Sequence, residues 1–175
     1  MAKTVKSKYL SENEQKTIRR WIPIMIKQKS RTEEQKENRA KTFLKLRYKI
    51  LGSGKTRIVY DLKNGYVLKI AISRRGLRSN QREYDIYTRC SRRMRRYLCP
   101  VMEHGHGWII MKKLKRRAVL SDKDEMTLSK IRNRFLKEKI VARSLREKNL
   151  ARYKKRFVVI DYGSFRFINQ YAEEA

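Results

Sequence analysis

Apolar residues change their period along this chain, and each change marks an element. After Ser11-x-x-Glu14, a capping-box pair, Ile18, Ile22, Met25 and Ile26 recur at helical spacing. Pro23 lies inside that pattern and should kink or divide the helix, because it brings no N–H to the turn. A second helix is expected over residues 32–46, with Ala40, Phe43 and Leu44 on one face. The pattern then shortens to strands over residues 48–51, 58–62 and 66–71. Gly52-Ser53-Gly54 is expected to join the first pair. Asn64-Gly65 is expected to join the second, as a dipeptide that accepts the positive φ of a tight hairpin.

Farther on, Tyr84, Tyr87, Cys90, Met94 and Tyr97 return every three or four residues, predicting one amphipathic helix from about Ser79. Glu83 would then fall in its first turn, where a carboxylate suits the helix dipole. A second hairpin is expected, with strands over residues 101–103 and 108–114. Residues 115–148 read as basic and mainly helical, with Ser121 as N-cap and Met126, Leu128, Ile131, Phe135, Leu136 and Ile140 on an apolar stripe. Phe157-Val-Val-Ile160 is a short buried strand that ends on Asp161.

Charge changes this picture more than composition does. The chain has 175 residues and is 40% hydrophobic, enough for a folded core, but carries 47 basic against 17 acidic residues, a formal +30. Such a field attracts nucleic acid or acidic protein and says nothing about fold. The first eight residues read as a basic, disordered tail. No stretch is apolar enough for a membrane span or a secretory signal, and two cysteines, Cys90 and Cys99, suggest no disulfide framework. A cytoplasmic location is the simplest expectation. His104-x-His106 with the two cysteines does not match a zinc-finger spacing. Tyr9, Trp21, Tyr153 and Phe165 could stack on bases, although core packing is the commoner use of such residues.

Candidate chemistry gathers in two stretches. Gly52-Ser53-Gly54-Lys55-Thr56 ends like a P-loop, but Lys49 stands where the first glycine belongs and a strand pattern follows where a helix must open. A glycine hairpin whose backbone could approach phosphate is the better reading. Lys69 lies in an otherwise apolar strand, where an ammonium calls for an anionic partner. In the second stretch, Asp161 at a strand end with Gly163 two residues later suits a metal-bridging carboxylate. Arg132, Arg134, Lys137, Lys139, Arg143 and Arg146 could line a phosphate-binding surface.

Taken in order, Leu51-Gly-Ser-Gly, Val67-Leu-Lys69, Glu83, Asn149 and Asp161-Tyr-Gly resemble the protein-kinase motifs. The chain is similar to the compact kinase-like proteins of bacteriophages. The resemblance implies an α+β fold, a reduced protein-kinase-like one. An antiparallel β N-lobe with one helix (residues 47–114) would be followed by a truncated, mainly helical C-lobe (115–175) and preceded by a basic helical extension (1–46). It implies ATP and Mg²⁺ as cofactors. Gly52 and Gly54 would cover the phosphates, Lys69 would contact them, Glu83 would orient Lys69, and the backbone near Met111 would read the adenine edge. Asn149 and Asp161 would hold the metal. It also implies an intracellular setting, the host cytoplasm if the chain is phage-encoded, and a regulator of host proteins.

The resemblance departs from the family twice. Arg57 replaces the third glycine, and Ser144 stands at the catalytic aspartate, where a hydroxyl cannot accept the substrate's proton as a carboxylate does. Glu147 is a conceivable substitute three residues out of register. Twelve residues follow Gly163, too few for a full activation segment. These features point to a pseudokinase more than to an active protein phosphotransferase. Its basic surface would take an acidic protein or nucleic acid.

Overall fold

The computed structural model describes residues 6–28, 32–114 and 118–168, and the chain's first five residues and final seven lie outside them. The fold is α+β. In order come α1 (Glu12–Ile26), α2 (Glu33–Leu44), β1 (Lys49–Ser53), β2 (Arg57–Asp61), β3 (Tyr66–Ala71), α3 (Arg74–Arg89), α4 (Arg92–Arg95), β4 (Val101–Gly105) and β5 (Trp108–Lys112). Then follow α5 (Asp124–Lys137), β6 (Ile140–Val141), a 3₁₀ turn (Glu147–Asn149), β7 (Leu150–Tyr153), β8 (Arg156–Val159) and β9 (Arg166–Phe167). Two compact units result, Met1–Asn80 with Met102–Met111, and Gln81–Val101 with Lys112–Ala175.

The first unit is a five-stranded sheet, ordered β1-β2-β3-β5-β4, with β1, β2 and β3 antiparallel in turn. Its core joins the sheet to the N-terminal helices: Ile18, Trp21, Ile22 and Met25 of α1 share one apolar cluster with Ile58, Tyr60, Leu68, Ile70 and Trp108. Trp21 is fully buried, and its Nε1–H donates to the Ala71 carbonyl at 2.8 Å. Ala71 N–H in turn donates to Gly107 O at 2.8 Å. Gly107 has φ +89°, and a Cβ there would lie 2.1 Å from Ile22 Cδ1, so glycine lets α1 close on the β4–β5 turn. The N-terminal residues that are described are also held: Lys8 N–H donates to the Glu103 carboxylate at 2.8 Å.

In the second unit, β7 and β8 form an antiparallel hairpin, and residues 97–99 run parallel beside β8 through Cys99 N–H to Val159 O and Val159 N–H to Tyr97 O, both 2.8 Å. The pair β6–β9 completes the strands. Leu128, Ile131 and Phe135 form the buried stripe of α5, and Phe135 meets the Phe165 ring edge-on at 5.3 Å.

Several expectations are corrected. Pro23 does not divide α1, which continues from Glu12 to Ile26. The β2–β3 link spans residues 62–65 with positive φ at Lys63 and Gly65, so Asn64-Gly65 is not a two-residue turn. Helix α3 starts at Arg74, because the Ser73 hydroxyl accepts the Gly76 N–H at 3.2 Å as an N-cap does. Gly76, ahead of the expected start at Ser79, lies inside the helix, and glycine is needed there because a Cβ would meet the Thr56 carbonyl at 2.1 Å. At its other end the predicted long helix stops, and Ser91 caps the separate α4 by accepting Met94 N–H. Ser121 does not cap α5. Lys123 holds that position, while Ser121 donates to Asp124. The stripe also ends early: Met126 and Leu136 are exposed, and left-handed Lys139 turns the chain so that Ile140 enters a strand.

Because Trp21 fills the centre of the first core, Trp21→Ala should cost about 3–5 kcal/mol in urea unfolding. A loss below about 0.5 kcal/mol would mean that α1 is a dispensable tail in solution.

Candidate functional site

In the first unit the candidate residues lie on the sheet in register. Gly52 faces Val59 across β1–β2, and Val59 faces Lys69 across β2–β3. Leu51 is the extra residue of a β-bulge, 41% exposed, which re-aims the strand just before the glycines. Gly54 N–H closes the turn on Arg57 O at 3.0 Å, and the chain continues into β2, which rules out the P-loop geometry. A Cβ at Gly52 or Gly54 would meet nothing within 4 Å, and neither has positive φ. Packing does not demand glycine at either place, so the bare backbone leaves room for a group to approach. Lys69 is only 6% exposed, flanked by fully buried Leu68 and Ile70, and Met111 is buried in β5.

Arg57 was legible only as a departure from the third glycine. It folds inward, 7% exposed, and donates from Nη1 to Asn80 Oδ1 at 3.2 Å. Asn80, itself 1% exposed, is a residue that sequence reasoning missed, since nothing in an arginine-rich helix start marks one asparagine as a buried acceptor. The extension is tied to this hairpin as well: Ser53 Oγ donates to Glu37, and Lys55 Nζ lies 3.2 Å from Glu33.

In the second unit Glu83 is fully buried and accepts the Tyr162 backbone N–H at 3.1 Å. It lies well inside α3, not in its first turn, so the helix-dipole argument for it falls. Tyr162 is also fully buried, and its hydroxyl donates to Cys99 O at 2.8 Å. Burial, and then the nearby Glu83 carboxylate, push that phenol well above its ordinary range. Asn149 accepts Ile160 N–H on its backbone carbonyl at 2.8 Å and donates from Nδ2 to Ser144 O at 2.9 Å. Ser144, Asn149 and the Ile160–Tyr162 segment are thereby brought together, with Glu83 joined through Tyr162. Ser144 itself is left-handed, φ 62°, a conformation uncommon for residues other than glycine.

Asp161 is half-buried at the end of the β8 run, next to the amide that Glu83 holds. With Nδ2 directed to Ser144 O, Asn149 has its amide oxygen to offer a cation. Carboxylate and amide oxygens are hard donors, the ligand type that magnesium takes. Among the described residues no cluster of three or more His, Cys, Asp or Glu could hold a metal alone. The elements run from the glycine hairpin through lysine on β3, glutamate on α3 and asparagine on the 3₁₀ turn to aspartate just beyond β8, the order in which the sequence motifs were read.

No family model matches the sequence, and no curated protein matches it. Among solved structures the chain is similar to the streptomycin–ATP–APH(2″)-IIa ternary complex, with 18% identity and a TM-score of 0.48, over 79% of this chain and 74% of that one. Among the described residues no helix is long and apolar enough to cross a membrane.

The Glu83–Tyr162 bond gives a direct test. Glu83→Ala leaves a buried amide without this acceptor and should cost about 1–3 kcal/mol, whereas Glu83→Gln keeps a side-chain oxygen there and should cost less. Urea unfolding of both variants checks this, and equal losses would show that the bond does not hold the turn.

Proposed function

We propose that this chain is a minimal kinase-like protein that binds magnesium ATP and presents a strongly basic surface to a polyanionic or acidic partner. The observation that supports it most is the fully buried Glu83 carboxylate on the Tyr162 amide, which fixes the turn beside Asp161. Gly52 and Gly54 would lie over the phosphates, Lys69 would contact them, and the backbone near Met111 would meet the base. Asn149 and Asp161 would hold magnesium, which when bound neutralises charge on the phosphates. Asn149 is oriented for this by Ser144 O.

Ser144 sets the limit on chemistry. Its hydroxyl cannot take a proton from an acceptor group near neutral pH, so the chain is a pseudokinase, or at most a slow phosphotransferase that relies on positioning. The left-handed backbone at Ser144 is one that aspartate tolerates at least as well as serine. Ser144→Asp therefore restores the carboxylate without backbone cost.

Mg-ATP at about a hundredfold its Kd should stabilise the wild type by about 2.7 kcal/mol. A thermal shift of several degrees is the readout, and it should vanish in Lys69→Ala and in Asp161→Ala. Absence of a shift in wild type, or equal shifts in all three, would overturn the nucleotide reading.

Ser144→Asp should raise transfer of labelled γ-phosphate to the chain or to an acceptor protein about a hundredfold or more. If Mg-ATP binds and Ser144→Asp still transfers no better than wild type, the kinase-like placement of Ser144 is wrong.

A further inference from the structure

The second unit contains a cavity of about 270 Å³ between α5 and the β7–β8 hairpin. Five cations line it, Lys130, Arg134, Arg152, Lys155 and Arg156, against one carboxylate, Asp124. That carboxylate is already committed: it accepts the Ser121 amide and hydroxyl, both at 2.9 Å, and Arg152 Nη2 at 3.0 Å. The guanidiniums are held rather than loose. Arg152 lies over the Phe157 ring at 4.3 Å, and Arg134 lies over Tyr97 at 5.6 Å and donates to its hydroxyl. Arginine fixed in this way loses little side-chain freedom on meeting a phosphate oxygen.

The hairpin that carries Lys155 adds an independent observation. Tyr153 pairs with Arg156, leaving Lys154 and Lys155 as a two-residue turn with φ 48° and 59°. Such a turn favours Asn-Gly, and lysine there is strained. Local strain that the fold could easily avoid is a pointer to function. Here it sets a cation at the cavity's rim. Exposed Arg92, Arg93 and Arg96 lie in the segment leading to Tyr97, so the positive charge continues beyond the cavity. A run of that extent suits a chain of phosphates better than a single phosphorylated group.

We propose that this cavity and its rim bind the phosphodiester backbone of single-stranded nucleic acid, with little sequence preference. The narrow concavity admits a single flexible strand. The aromatic faces are taken up by guanidiniums, so phosphate contact dominates over base stacking. This gives a place and a ligand class to the polyanion-binding part of the proposed function and stands independently of the nucleotide part.

The test is fluorescence anisotropy of the full chain with a short labelled single-stranded oligonucleotide over a range of salt. With about four cations left for phosphates, log K should fall with log salt at a slope near −3. In the variant Lys154→Asn with Lys155→Gly, binding should weaken severalfold and the slope should lessen by about 0.7. The same variant should melt roughly 2–4 °C higher, because the turn now has its preferred residues. Its Mg-ATP thermal shift should be unchanged. A more stable protein that binds more weakly cannot be explained by misfolding. Lys130→Glu, on the exposed face of α5, should weaken binding as well. The proposal is overturned if both variants bind like wild type, if binding is indifferent to salt, if duplex of the same length binds more tightly, or if polyglutamate competes as well as the oligonucleotide. Loss of the Mg-ATP shift in wild type with oligonucleotide binding intact would sink only the nucleotide reading.

Discussion

A carboxylate with no exposure to water is held on a backbone amide: Glu83 on Tyr162. Placing that charge in the interior is unfavourable unless hydrogen bonds satisfy its oxygens, so the bond constrains both ends of the contact. It fixes the turn of α3 that carries Glu83 and the residue that follows Asp161. Tyr162 is anchored at its other end as well, through its hydroxyl on Cys99 O, and residues 97–99 are themselves hydrogen-bonded along β8. The acid-bearing turn is thus clamped by backbone and side chain together.

The same use of scarce acids recurs through the molecule. With 17 acidic against 47 basic residues, a carboxylate could find a cation almost anywhere. Yet Glu14, Asp61, Glu103, Asp124 and Glu138 each accept a backbone N–H, from Ser11, Lys63, Lys8, Ser121 and Ser91 respectively. A charge-assisted bond to an amide at a helix start or turn contributes more than an exposed ion pair, whose worth is small. The acids therefore fasten the fold at its corners, and most of the positive charge is left to the surface, where it repels itself.

How much could be read beforehand depended on whether the local signal and the tertiary need agreed. The capping box at Ser11 and Glu14, the strand of Lys69 and the strand leading to Asp161 all announce themselves, since propensity and burial favour the same answer there. The start of α3 was hidden because Gly76, a poor helix former, is required by the close Thr56 carbonyl. Arg57 was visible as a missing glycine, but its inward path depends on Asn80, a partner 23 residues away that no periodicity reveals. The β7–β8 hairpin carries no turn signal at all.

That last silence has a physical meaning. Among the described residues, the left-handed ones other than glycine are Ser144 and five lysines: Lys45, Lys63, Lys139, Lys154 and Lys155. Glycine or asparagine would serve these positions with less strain, by about 1–2 kcal/mol at each against a glycine. Lys45 ends α2 and Lys139 follows α5, both sites where folds ordinarily place glycine. A chain that puts lysine at such corners repeatedly, while fastening its acids to backbone amides, keeps positive charge where foldability alone would give it up. The net charge of +30 is then a property that the fold accommodates at a cost in stability. Charge retained against local preference is what the proposed polyanion-binding surface would require, whether or not the glycine hairpin also covers a nucleotide.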